Sequence, residues 1–223
     1  MNTSPILSPL ILSMESAVLA TALSFAFGTA LAYFATRLSR GRGTLDAVLT
    51  LPLVLPPTVV GFFLLLVFGK RSPIGEFLLS VGHPLVFTFE AAVIAAFVVS
   101  MPLMYRTARG AFEQEDATYC AAARTLGIPE RTIFFRVLLP NAKSGLLAGL
   151  VLTFARALGE FGATILFAGN IPGETQTMSL AIYTAVQSGD DQTALLWALA
   201  LCLISFLFLG ALNLCLHAER RSS

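Results

Sequence analysis

The sequence predicts an all-α integral membrane protein with about five crossing helices, and three observations carry that prediction. Of its 223 residues, 56% are hydrophobic and only 12% charged, against roughly 25% charged in an ordinary soluble domain. Uncharged runs of 21, 23 and 27 residues separate Glu15 from Arg37, Asp46 from Lys70 and Asp191 from Glu219. Each is long enough for the ~20 residues that cross a bilayer as a helix. The basic residues gather on alternate connecting segments, as the positive-inside bias of multi-span proteins requires.

The first run gives a span over about residues 13–36. No Lys or Arg precedes Arg37, whereas a secretory signal begins with a positive segment, so this span is expected to be retained. The second span, 46–69, carries Pro52, Pro56 and Pro57 in LPLVLPPTVVG. Proline has no amide hydrogen to donate and its ring clashes with the preceding turn, so this helix is expected to kink or break. Carbonyls freed at membrane depth must face protein or a polar cavity. Glu90, Arg106, Arg156 and Glu160 interrupt the middle of the chain, where spans are expected at about 86–108 and 145–168. The last span is expected at about 194–216, and residues 1–223 read as a single transmembrane domain.

Orientation follows from the cations. Eleven lie on one side, at Arg37, Arg40 and Arg42, from Arg106 to Lys143, and at Arg220 and Arg221, whereas the other side holds only Lys70 and Arg71. The crowded side is expected to be cytoplasmic. That puts the N-terminus outside, the C-terminus inside, and the loops near 70–85 and 169–191 outside.

The one sizeable hydrophilic segment, 109–143, is too small for a catalytic core, so the chain is expected to be non-catalytic. Ala117, Ala121, Ala122 and Ala123 favour a helix from Phe112 to Leu126. Gly127 suits a left-handed helix ending, and Pro129 with Glu130 suits the first turn of a second helix. That second helix is expected to pass Phe134 and Phe135, reach Val137 and stop near Pro140.

Arg156 and Glu160 stand four apart, so a helix through them would place both on one face. Each costs roughly 2.5–3.5 kcal/mol at the bilayer centre on insertion scales, which predicts a paired, interior position. Two readings stay open: Pro56, Pro57, Arg156 and Glu160 border a translocation path or gate, or they form a structural kink and a structural ion pair. Gly145, Gly149, Gly159 and Ala163 add small residues at four-residue spacing, which lets helices approach closely.

Several functions lack their residues. The net charge of +1 gives no electrostatic footprint for nucleic acid. Cys120, Cys202 and Cys215 form no CxxC, and His83 and His217 are isolated, so neither a disulfide framework nor a metal site is expected. Gly69-Lys70 lacks the rest of a Walker A pattern, so ATP must bind elsewhere. An intramembrane enzyme lacks both a Ser/His pair and an HExxH motif. A secondary transporter or channel would have only Glu15, Glu90 and the Arg156/Glu160 pair for its coupling-ion or selectivity site, and no internal repeat is visible.

The spacing from Ala121 to Pro140 resembles the cytoplasmic EAA loop of ABC importer permeases, whose pattern is Glu-Ala-Ala, three residues, Gly, nine residues, Ile, one residue, Leu-Pro. Ala121, Ala122 and Ala123 take the first three positions, Gly127 the glycine, Val137 the Ile, and Leu139 and Pro140 the end. Ala121 replaces the acidic residue, which removes the carboxylate that could pair with the ATPase there. With LPLVLPPTVVGFFLLLVFG and RALGEFGATILFAGNIPGETQTMSLAIYT, the chain resembles the molybdate ABC transporter permease family over most of residues 13–216. Sulfate and thiosulfate permeases look similar in the GEFGA and EAA regions, and tungstate is inseparable from molybdate by this chain.

The resemblance implies the type I importer transmembrane fold with a cytoplasmic coupling helix, in which Ala121, Ala122, Ala123, Leu126, Gly127, Leu139 and Pro140 seat on the ATPase. It implies a second copy of the chain, two ATP-binding subunits that hold ATP and Mg²⁺, and an external molybdate-binding protein. A bacterial inner-membrane setting in contact with lipid follows. The loop GNIPGET, with turn chemistry at Pro172 and Gly173, is expected either to meet the binding protein or to serve as a plain connection.

Overall fold

A computed structural model describes residues 7–38, 40–114, 121 and 123–222. Among the described residues there is no strand. The helices are α1 (Ser8–Arg37), α2 (Arg42–Val54), α3 (Pro57–Phe68), α4 (Pro73–Ser80) and α5 (Phe89–Gln114), followed by α6 (Glu130–Asn141). The chain continues through α7 (Lys143–Leu158), α8 (Gly162–Phe167), α9 (Met178–Ser188) and α10 (Asp191–Ser222). Three of them, α1, α5 and α10, are long and apolar enough to cross a membrane alone. Two bent pairs, α2 with α3 at 110° and α6 with α7 at 75°, raise the number to five if each pair is one span.

Apolarity does not choose the inner face of α1, because the buried side carries Ser13, Ser16, Thr21, Ser24 and Thr29 while large apolar residues lie outside. Residue size chooses it instead. Ala17, Ala20, Ser24, Gly28 and Ala32 are buried, while Val18, Leu19, Leu23, Phe27 and Phe34 are exposed. Between apolar helices in lipid, small residues allow the backbone approach that dispersion contacts need. Ala20, Ser24, Gly28 and Ala32 recur every fourth residue and so line one face against α5. There Ser24 Oγ meets Ser100 Oγ at 3.3 Å, and a Cβ on Gly28 would lie 3.1 Å from Met104 Cβ. The α5–α7 contact is as tight: a Cβ on Gly145 would lie 2.6 Å from Ala111 Cβ, and one on Gly149 would lie 3.0 Å from Thr107 Cβ.

The structure revises several expected boundaries. The break expected in the second span falls at Leu55 and Pro56, whose extended backbone separates α2 from α3. The span expected as one helix over 145–168 is two helices, because α7 ends at Leu158 and α8 begins at Gly162. Its cause lies in Glu160, whose carboxylate caps the second piece. The helix expected to stop near Pro140 does so, with Asn141 as its last residue. A π-helical turn, Phe134–Leu138, widens the ladder so that Leu139 donates to Phe134 O, which makes room for a residue without an N–H. The bend falls instead at Ala142.

Helix α5 begins at Phe89 and extends six residues past the expected end at 108. Helix α10 likewise exceeds the expected 194–216 at both ends. Two helices lie within expected loops. Ser72 caps α4 by accepting the Gly75 N–H at 2.9 Å, and α9 buries Met178, Leu180, Ala181 and Ala185.

Candidate functional site

Two places gather the residues singled out from the sequence: the crossing of the broken helices, and the turn in the long hydrophilic segment. At the first, Pro57 opens α3, where its missing N–H leaves nothing unpaired. Pro56 is exposed at the bend, and its carbonyl accepts from Val59 N at 2.9 Å and Val60 N at 3.3 Å. Helix α3 then crosses α8 almost backbone to backbone. A Cβ on Gly61 would lie 2.7 Å from Ala163 Cα, and one on Gly162 would lie 3.0 Å from Pro57 Cβ. The two breaks therefore meet.

Glu160 sits in the α7–α8 break and is 3% exposed. Its Oε1 accepts the Ala163 N–H at 2.8 Å, supplying an acceptor to a helix start that otherwise lacks one. Its Oε2 lies 2.8 Å from Arg156 Nη1, facing the charge without hydrogen-bond alignment. Arg156 occupies the last turn of α7, where a cation complements the helix dipole. Its side chain stays 29% exposed, so the guanidinium keeps donors that Glu160 does not engage. The pair is thus present, although Glu160 lies beyond the helix on which one face was expected to hold both. Pro57 joins it through Gly162, and Pro56 stands at the rim.

At the second place, Ile128 N donates to Ala123 O at 3.1 Å and Gly127 N to Arg124 O at 3.0 Å, the bond pair of a Schellman ending. Gly127 has φ +71°. A Cβ there would meet open space, so the position needs glycine for its backbone angle rather than for room. Leu126, 77% exposed, projects at the tip, while Ala123 is buried. Ala121 is exposed, Leu139 half-buried and Pro140 exposed. Ala122 and Cys120 lie outside the described residues.

Behind the turn, Glu130 Oε1 accepts from Arg124 Nε at 2.7 Å, and its Oε2 pairs with Arg37 at the end of α1. The Arg124 hydrogen bond, helped by Arg37, holds the Glu130 carboxyl below its ordinary 4.5. Arg37 lies 4.2 Å over the Tyr33 ring, which packs 4.4 Å from the Phe134 ring and 6.4 Å from that of Phe112. A second ionic group ties α2 to α5. Asp46 pairs with Arg109 and accepts from the Tyr105 hydroxyl, while Glu113 pairs with Arg42 and, at 2.9 Å, with Arg109 Nε.

The segment around GNIPGET is a built loop. Asn170 Nδ2 donates to Thr184 Oγ1 at 2.8 Å, Gln176 Nε2 donates to Asn170 Oδ1 at 3.0 Å, and buried Thr175 accepts from Ile171 N at 3.0 Å. Met178 N then donates to Ser13 Oγ at 2.8 Å, which pins α9 to α1. Pro172, Gly173 and Glu174 remain exposed.

Sequence reasoning missed Gly61, Glu130, Asp46 and the arginines that join them. Gly61 stood within the proline motif, and its small size was the available signal. Glu130 was read only as a first-turn acid, because its partner Arg37 lies 93 positions away.

A family model described as binding-protein-dependent transport system inner membrane component matches residues 24–218. The chain is 43% identical over 210 residues to the putative molybdenum transport system permease protein YvgM of Bacillus subtilis strain 168, covering 93% of this chain and 92% of that one. It is 45% identical over 205 residues to the molybdenum transport system permease protein ModB of Escherichia coli K12, covering 91% and 88%. Among solved structures, it superimposes on a chain of the inward-facing MetNI methionine ABC transporter with a TM-score of 0.74 at 16% identity, over 97% and 98% of the two chains. A bacterial ABC transporter involved in import of the acidic polysaccharide alginate gives a TM-score of 0.75 at 14% identity, over 99% and 80%.

Proposed function

The chain belongs to the family of binding-protein-dependent transport system inner membrane components, and from that premise we propose that it is the permease subunit of an ATP-driven molybdate importer. Similarity over nine-tenths of both chains to molybdenum permeases carries this reading. The fold is the type I ABC importer transmembrane fold, and the setting is the inner membrane, crossed several times. Within it the chain is a non-catalytic transport subunit.

Two copies of the chain pair with each other, with two ATP-binding subunits that hold ATP and Mg²⁺, and with an external molybdate-binding protein. The N-terminus lies outside and the C-terminus in the cytoplasm. Ala121, Ala122, Ala123, Leu126, Gly127, Leu139 and Pro140 seat on the ATPase. Exposed Leu126 offers an apolar contact at the tip, and the Schellman ending at Gly127 makes the tip stiff enough to pass on a displacement.

The pair Arg156 and Glu160 borders the path, beside the crossing of α3 and α8 at Pro57. An oxyanion passing there meets a partly open guanidinium whose net attraction Glu160 reduces. Such a site guides an anion without trapping it, since conduction needs binding that is weak enough to release.

Uptake of labelled molybdate by proteoliposomes, with ATP enclosed and the binding protein outside, tests the proposal. Competition by tungstate but not by sulfate is the expected result, and uptake that survives removal of the ATPase subunits would refute it. For the path, an Arg156→Met, Glu160→Leu double variant is expected to lose uptake while assembling normally. Retained uptake would leave the pair a purely structural role.

A further inference from the structure

Two residues that flank the turn meet a third, distant in sequence, at its base. Arg124 precedes Gly127 and Glu130 follows it, whereas Arg37 ends α1. The Glu130 carboxylate divides its two oxygens between the two guanidiniums, Arg124 Nε at 2.7 Å and Arg37 Nη2 on the other oxygen. Arg37 is itself held in place by the Tyr33 ring 4.2 Å away and by a hydrogen bond to the Tyr33 hydroxyl. Tyr33 in turn contacts Phe134 on α6. Both arms of the turn are thus tied to the same end of α1.

We propose that Glu130 is a positioning residue that fastens the coupling turn to α1, so that a displacement of the turn moves the α1–α5 pair rather than bending the turn alone. The inference rests on the proposed importer function and deepens it. The chemistry favours a grip over a partner contact. With an arginine on each oxygen, the Glu130 charge is already balanced within its own chain, and Ala121 leaves the acid position of the EAA pattern empty. The path of force beyond Arg37 is stiff, because α1 meets α5 through Ser24, Ser100 and Gly28 with almost no intervening side chain. Side-chain exposures of 38% for Arg37, 50% for Arg124 and 44% for Glu130 put the cluster in the class of partly solvated pairs, each of modest strength. A network of that kind can bias a coupling equilibrium without being required for folding.

The test is the number of ATP molecules hydrolysed per molybdate transported, measured with the assembled complex in proteoliposomes. A Glu130→Gln variant is expected to raise that ratio about threefold, equivalent to ~0.7 kcal/mol at about 1.4 kcal/mol per factor of ten. A fold defect lowers both rates together and leaves the ratio unmoved. Arg37→Gln, which changes α1 and not the turn, is expected to raise the ratio likewise and serves if Glu130→Gln does not assemble. The charge-exchanged pair Arg37→Glu with Glu130→Arg is expected to return the ratio towards that of the natural chain, while each single exchange raises it. An unchanged ratio in Glu130→Gln or in Arg37→Gln, with the natural chain coupled, overturns the grip alone. A natural chain that moves no molybdate on ATP hydrolysis overturns the importer reading instead.

Discussion

Replacing Gly61 by alanine probes whether the crossing of the two broken helices is set by backbone contact. The new Cβ would lie 2.7 Å from Ala163 Cα and 2.8 Å from Ala163 O. Carbon atoms sit comfortably at about 3.5–4.0 Å, so α3 and α8 must separate by roughly 1 Å. No rotamer relieves this, because both clashing atoms are main chain. Overpacking of that size costs about 1–3 kcal/mol, whereas Gly to Ala within a helix returns ~0.8–1.0 kcal/mol of propensity. Gly110 cancels the second effect. It lies inside α5 with open space around its Cβ direction, so Gly110→Ala gains propensity without a clash. The difference in unfolding midpoint between Gly61→Ala and Gly110→Ala, followed in detergent by the fluorescence of the assembled complex, therefore reports the clash alone. Gly61→Ala is expected to unfold at lower temperature and to import molybdate more slowly. Adding Ala163→Gly is expected to give no rescue, since it removes no clashing atom. Equal midpoints, or rescue by Ala163→Gly, would refute a main-chain contact.

Two further outcomes follow from the turn. Gly127→Val forces a β-branched residue to φ +71°, costing roughly 1–2 kcal/mol, while Gly127→Asn tolerates that region. The valine variant is expected to insert normally and to waste ATP, and the asparagine variant to stay coupled; equal ATP-to-molybdate ratios would reject the stiff turn. The depressed Glu130 carboxyl gives a pH signature. Because its pKa in the folded chain lies below 4.5, its contribution to stability is fully present above that value and fades as pH falls through the folded pKa. The unfolding midpoints of the natural chain and Glu130→Gln are expected to differ by a constant amount from pH 8 to about 5, and to converge on further acidification. A gap that already closes between pH 7 and 5 would contradict the assignment.

Much of the architecture was legible along the chain. The uncharged runs located α1, the α2–α3 pair and α10, because a bilayer imposes length and apolarity on whatever crosses it. Pro56 and Pro57 announced a break, since proline removes a hydrogen bond wherever it stands. Gly127 announced a left-handed helix ending through its own conformational freedom. Helix α9 was hidden, because its 11 residues are too few to register as a span, although it packs against α1 and α10. The break at Glu160 was hidden as well, since a mid-helix glutamate and a capping glutamate look alike until the backbone turns towards the side chain.

The sequence by itself determined that this chain lives in a membrane, that its proline-bearing second span must kink or break, and which transporter family its motifs resemble. Those properties depend on composition and on neighbours a few residues apart. Only the tertiary structure decided that Gly61 meets Ala163, that Glu160 both caps α8 and faces Arg156, and that Glu130 joins Arg37 to Arg124. Such contacts depend on which helix faces lie together, and in lipid that choice rests on side-chain size and fit rather than on a hydrophobic pattern that one strand of sequence displays.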